Sequence, residues 1–201
     1  MAGQRQRLRA RRPQRIADNS GAAWTPSGPA EGTLSLAYFQ RPLRVQVPEY
    51  LVLEANGAAA PTMVQALVTA YLLMASGAPR AGEWVAFRDL PDGAFYHQAF
   101  TGYTGDLLSR ALGDDLEAFE RGARAARGSR LGGLGDAAYE FRALPRLWLA
   151  VTYWLGDVED DFPPQARVLF DRAASQYMII DGLAIIGSQL VRLILSQAGA
   201  G

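Results

Sequence analysis

Asp157, Glu159, Asp160 and Asp161 put four carboxylates into five residues, just after Trp154-Leu155-Gly156. Hard divalent cations take oxygen ligands, and a short acidic loop presents several together. With a bound cation, such a cluster is the donor set of a carboxylate-dependent metal hydrolase. The spacing, however, lacks the central glycine and the distal glutamate of a calcium loop. Like charges this close also repel unless an arginine or a cation compensates. The plainer expectation is a solvated acidic loop ahead of a helix opened by Pro163-Pro164, with Asp160 and Asp161 complementing that helix's dipole.

Other residue types are conspicuous by their scarcity. The chain has no lysine, no cysteine and a single histidine, His97. Schiff-base chemistry, thiol nucleophiles, iron–sulfur ligation and multi-histidine metal sites are therefore excluded, and the usual nucleophile–base triads cannot be assembled. His97 is a candidate general base or ligand-binding residue, set against the simpler reading of a strand residue satisfied by one hydrogen bond. Gly133 and Asp136, in Gly132-Gly133-Leu134-Gly135-Asp136, are candidates for a backbone nest that holds an anion. Arg88 and Asp89 are candidates for recognising a small molecule or protein partner, against the alternative of a structural ion-pair network. Asp157 joins these as a ligand-binding candidate.

Six arginines (Arg5, Arg7, Arg9, Arg11, Arg12 and Arg15) occupy the first fifteen residues without an acid among them. The remainder carries a balance of −6, so the net charge of zero conceals two unlike parts. Residues 1–31 read as a disordered arm, since charge without apolar periodicity buries too little to offset the entropy of ordering. Trp24 is its one anchor candidate. Arg11-Arg12 is followed by no apolar stretch, so a twin-arginine export signal is not expected from it. The arm either solubilises the chain or contacts nucleic acid or another anionic surface, with a salt slope of about −5 at most if all six meet phosphates.

The elements that must position these groups follow from periodicity. Leu34, Leu36 and Tyr38, then Leu43, Val45 and Val47, alternate as short antiparallel strands, with Tyr50–Leu53 after them. Met63, Val64, Leu67, Val68, Tyr71 and Leu72 make a helical stripe begun at Pro61 and ended by Gly77 and Pro79. Pro91-Asp92-Gly93 predicts a hairpin turn between Glu83–Leu90 and Phe95–Phe100. Residues 105–126 read as helix broken near Gly113, with Asp114 and Glu117 as a capping box. Tyr139–Leu144 and Leu147–Trp154 read as strands, the second apolar on both faces and so central. A helix from Pro163-Pro164 to about Gln176 and a last one over Asp181–Ser196 complete the pattern.

Three blocks, LLMASGAPRAGEWVAFRDLPDGAFYHQAF, GGLGDAAYEFRALPRLWLAVTYWLGD and DDFPPQARVLFDRAASQYMIIDGLAIIG, resemble the domain of unknown function 3786 family over roughly Val64–Leu193. The resemblance implies a single-domain prokaryotic family, frequent in anaerobes, with no activity to carry over. Two positions depart from its pattern: Ala70 stands where relatives often have a histidine before the tyrosine, and Ile180-Asp181-Gly182 where they tend to have an acidic pair. Iron–sulfur segments associated with some relatives have no ligands here.

Together these readings predict one α+β domain over residues 32–198, an antiparallel sheet of five to seven strands with helices packed against it. No apolar stretch reaches the ~20 residues of a membrane span, and a cytoplasmic location is expected. The expected role is a non-catalytic binding or accessory protein, with the metal hydrolase and the nucleic-acid arm as alternatives. No particular cofactor is indicated.

Overall fold

The computed structural model describes residues 2–157, 159 and 161–199. The fold is α+β, with two antiparallel sheets of four and five strands rather than the single sheet expected. The chain divides into two compact units. One holds the residues up to Arg80 with Ala143–Leu147 and Gln176–Met178; the other holds Ala81–Arg142, Trp148–Ser175 and the stretch from Ile179.

In the first unit, α1 (Ala2–Arg9) and α2 (Pro13–Ser20) precede β1 (Ala23–Pro26), β2 (Gly32–Tyr38), β3 (Arg41–Val47) and β4 (Leu51–Glu54), then α3 (Thr62–Met74). The expected alternation builds the sheet. Leu34 faces Val45 and Leu36 faces Leu43 across the ladder, all four buried. The sheet runs in sequence order, β1-β2-β3-β4.

The N-terminal segment is not the disordered arm its composition suggested. Over its thirteen residues α3 has no charged side chain, and Val64, Leu67, Val68, Thr69, Tyr71, Leu72 and Leu73 are all buried. A helix apolar on most of its faces needs cover on several sides. Contacts with β4 supply one side, while α1 and α2 supply others by burying Leu8, Ile16 and Ala17. Few apolar residues suffice to order the segment because the surface that receives them is so apolar.

The second unit contains β5 (Trp84–Ala86), α4 (Gly93–Tyr103), α5 (Gly105–Leu112), α6 (Leu116–Ala125), β6 (Ser129–Leu131), β7 (Ala137–Leu144) up to Arg142, β8 (Leu147–Trp154) from Trp148, β9 (Gln165–Asp171) and α7 (Ile180–Ala198). Its sheet has the order β5-β9-β8-β7-β6. As predicted, β8 is central and buried on both faces from Leu149 to Tyr153.

Three local expectations are corrected. Phe95–Phe100 is helix, not the second strand of a hairpin. Asp92 adopts a left-handed φ of 63°, and Gly93 lies so close to the Phe87 carbonyl that a Cβ there would overlap its oxygen. The turn therefore folds the chain back as α4 against the short 3-10 turn Phe87–Asp89. Residues 165–171 are strand β9, not helix: Ala166, Val168 and Phe170 are buried, alternating with exposed Gln165 and Arg167 and half-buried Leu169, a period of two. The cap of α6 is Asp115, whose carboxylate accepts the Ala118 amide at 2.8 Å, one residue beyond the anticipated Asp114.

Among the described residues α7 is the one helix long and apolar enough to cross a membrane, with a mean hydropathy of 1.2 over a window that is 50% buried. Leu183, Ile186, Leu190, Val191 and Ile194 face the interior, the pattern of a core helix.

Candidate functional site

Within the first unit, α2 begins where Arg12 is extended and Pro13 supplies the first helical residue, a position that needs no amide donor. It ends at Gly21, whose left-handed backbone lets its N–H donate to the Ala17 carbonyl at 2.7 Å. With Ile16, Ala17 and Ser20 turned inward, Arg12, Gln14, Arg15 and Asp18 are left exposed. Arg11, just ahead, donates through Nη1 to the Leu73 carbonyl at 2.7 Å, which ties the linker to the last turn of α3.

A cleft of about 660 Å³ results, lined by Ala10, Arg11, Arg12, Gln14, Arg15, Ile16, Asp18, Asn19, Leu72 and Ala75. Three guanidinium groups face one carboxylate, and Asp18 Oδ1 already accepts from Gln14 Nε2 at 2.8 Å. The Arg12 and Arg15 side chains have no ion-pair or hydrogen-bond partner among the described residues. A guanidinium is permanently charged and presents a planar fork that fits phosphate or carboxylate oxygens two at a time.

The remaining arginines of the segment lie elsewhere. Arg5 donates to Gln65 Oε1 at 2.5 Å and Arg9 to the Pro48 carbonyl at 2.9 Å, while Arg7 is exposed. Sequence reasoning had named the arginines but missed Gln14, Asp18 and Asn19. The signal that would have found them is the helix start at Pro13 and stop at Gly21.

In the second unit, two of the predicted loops meet. Asp136 Oδ2 accepts the Leu155 amide at 2.7 Å, and its own N–H donates to the Tyr153 carbonyl at 2.9 Å. Asp114 Oδ1 accepts the Gly156 amide at 2.6 Å. The Tyr153 hydroxyl donates to the Gly113 carbonyl at 2.6 Å, and burial, with Asp114 and Asp115 nearby, pushes this phenol up to about 12. Asp157 pairs with Phe162 through both backbone groups, and its Oδ1 accepts the Glu159 amide at 2.9 Å. These carboxylates are occupied in holding backbone.

Gly133 is exposed in the loop before β7, and Asp161 is exposed with a left-handed φ of 57°. Asp160 lies outside the described residues. The strand that follows removes the helix dipole expected to favour Asp160 and Asp161. Among the described residues no group of three or more histidine, cysteine, aspartate or glutamate side chains could hold a metal ion.

Arg88 and Asp89 follow the edge strand β5 and pair with each other at 3.7 Å, with side chains 64% and 52% exposed. In the sheet order β9 and β8 lie between β5 and β7, so this pair stands apart from the Asp136 loop. His97, placed on α4 rather than on a strand, borders a crevice of about 40 Å³ against β9. Its Nδ1 is buried without a hydrogen-bond partner.

No curated protein and no solved structure matches the chain. A family model described as a domain of unknown function (DUF3786) matches residues 12–193, which adds α2 and the four-stranded sheet to the span Val64–Leu193 of the resemblance. With nearly its whole length so matched, the chain belongs to this family.

Proposed function

We propose that this protein is a binding protein whose ligand is a small anionic molecule bearing phosphate or carboxylate groups, received in the cleft beside α2. One observation carries this reading: Arg12 and Arg15 line a cleft of about 660 Å³ with no carboxylate paired to either. That volume lies within the range of about 300–1,000 Å³ typical of small-molecule sites. The apolar floor of Ile16, Leu72 and Ala75 suits the carbon frame of such a ligand, and Gln14 and Asn19 offer hydrogen bonds beside the charges. The lining holds no nucleophile with an adjacent base, so recognition rather than turnover is the role that fits it.

Isothermal calorimetry of the full chain with pyrophosphate and with citrate tests the reading. Saturable heat with at least one of them is expected, with affinity falling at least about tenfold, equivalent to about 1.4 kcal/mol, in the double variant Arg12→Gln/Arg15→Gln. Flat heats with both probes, or binding unchanged in the double variant, would overturn it.

A further inference from the structure

His97 carries the only imidazole in the chain and stands one helical turn before Thr101 on α4. The crevice beside it lies where the hydrogen-bonded register of β9 with β5 stops at Leu169↔Ala86. Beyond that point Ala166–Val168 pair with β8 on one side only, and on the other they line the crevice together with residues of α4 and the start of α5. Gly105 presses on this edge so tightly that a Cβ would overlap the Ala166 carbonyl oxygen. Such a junction of helices on an unfinished strand edge is where buried polar groups most need a partner.

The Thr104 hydroxyl donates to the Phe100 carbonyl at 2.5 Å and keeps its lone pairs as acceptors. Arg167 contributes to the lining, but its guanidinium lies over the Trp154 ring, 5.2 Å from the centroid. The Phe87 and Phe100 rings, stacked at 4.0 Å, form the apolar wall. A buried water needs only about 10–15 Å³ of free volume and two to four polar partners. The space of about 40 Å³ meets the first requirement; for the second, His97 Nδ1 is one partner, and Thr101, which also lines the crevice, carries a hydroxyl able to be the other.

We infer that this crevice is a hydration site that takes an ordered water between His97 Nδ1 and the Thr101 hydroxyl. The water donates to Nδ1, which leaves the proton of the neutral ring on Nε2. The bridge joins two residues one turn apart on α4 and so steadies the helix whose outer face presents Phe95, 87% exposed, and Tyr96.

With one histidine, imidazole resonances need no assignment. Water-selective cross-relaxation in an isotope-labelled sample should show a long-lived water beside the His97 ring, and the Nδ1 shift should be that of a hydrogen-bonded acceptor. Thr101→Val should abolish the water signal and move the Nδ1 shift, while Thr101→Ser, which keeps the hydroxyl, should retain both. Absence of a water signal in the parent protein, or one retained in Thr101→Val, would overturn the inference. Loss in Thr101→Ser would do the same, since the hydroxyl would then not be what holds the water.

Discussion

The Tyr71 hydroxyl accepts the backbone amide of Arg146, 75 residues away in sequence, at 2.9 Å. The same hydroxyl donates to the Ser20 carbonyl at 2.6 Å, and the ring stacks on Tyr177 with centroids 5.9 Å apart. One buried oxygen thus joins α3, the end of α2 and the turn that leads into β8, all within the first unit.

Tyr71→Phe keeps the stacking and removes both hydrogen bonds. The Ser20 carbonyl and the Arg146 amide would be left without this partner, at a combined cost of about 2–3 kcal/mol. Urea unfolding followed by tryptophan fluorescence should show the midpoint fall with little change in slope.

Asp171 is only 2% exposed, yet its carboxylate accepts from the backbone of Ala81 at 3.0 Å, Gly82 at 2.8 Å and Ala173 at 3.0 Å. An amide in its place has one acceptor oxygen and points a donor at donors. Asp171→Asn is therefore expected to destabilise by about 3 kcal/mol, as for losing a hydrogen bond to a charged acceptor and exposing the conflict. Hydrogen exchange at residues 81–82 would rise first, since that segment depends on this carboxylate.

Thr152 lies at the centre of β8, fully buried, and its hydroxyl has no partner. Valine has nearly the same shape without the polar group, so Thr152→Val should stabilise by about 1 kcal/mol. Thermal unfolding of the two proteins side by side is the measurement.

Alkali should weaken the fold through its tyrosines. Burial holds Tyr153 up at about 12 against an ordinary value of 10.0, and burial raises Tyr38 further still, against the opposing pull of Arg41. A group whose pKa is higher folded than unfolded stabilises fully below the unfolded value. For Tyr153 that contribution is lost as pH rises from about 10 through about 12. Stability measured across this window should fall, and Tyr153→Phe should make the fall shallower, leaving the shares due to Tyr38, Tyr50 and Tyr103, which burial also raises.

Nucleic acid would engage fewer arginines than composition alone implies. Arg5, Arg9 and Arg11 are tethered to Gln65, Pro48 and Leu73, which leaves Arg7, Arg12 and Arg15. At roughly −0.9 per phosphate contact, the log–log salt slope for duplex DNA should be no steeper than about −3. Filter binding across a salt series would show it, and a slope near −5 would mean that the tethers break.

Much of this architecture was legible because its apolar residues keep a clean period. Leu34 to Val47 alternate, the 62–74 stripe repeats every three or four residues, and β8 is apolar on both faces but for Thr152. The errors arose where a turn residue was read without its surroundings. Pro91-Asp92-Gly93 is good hairpin chemistry, but the approach of Gly93 to the Phe87 carbonyl is tertiary and invisible in the chain. Pro163-Pro164 is good helix-start chemistry, but Ala166, Val168 and Phe170 beyond it already alternate. At the candidate site the arginines were evident, whereas their cleft depends on Leu72 and Ala75, some 60 residues later in the sequence. Loop carboxylates such as Asp136 looked free to bind because nothing local reveals the amides they accept.

Leu8 is wholly enclosed, and the Tyr50 hydroxyl donates to its carbonyl at 3.3 Å. Trimming the first fifteen residues, the usual shortcut for a charged leader, would strip a wall from α3 and deprive Tyr50 of its acceptor. Charge-neutral point replacements, not deletions, are the way to probe what these arginines do. Fusion tags at this end should be spaced away by a linker so that α1 can still close over α3.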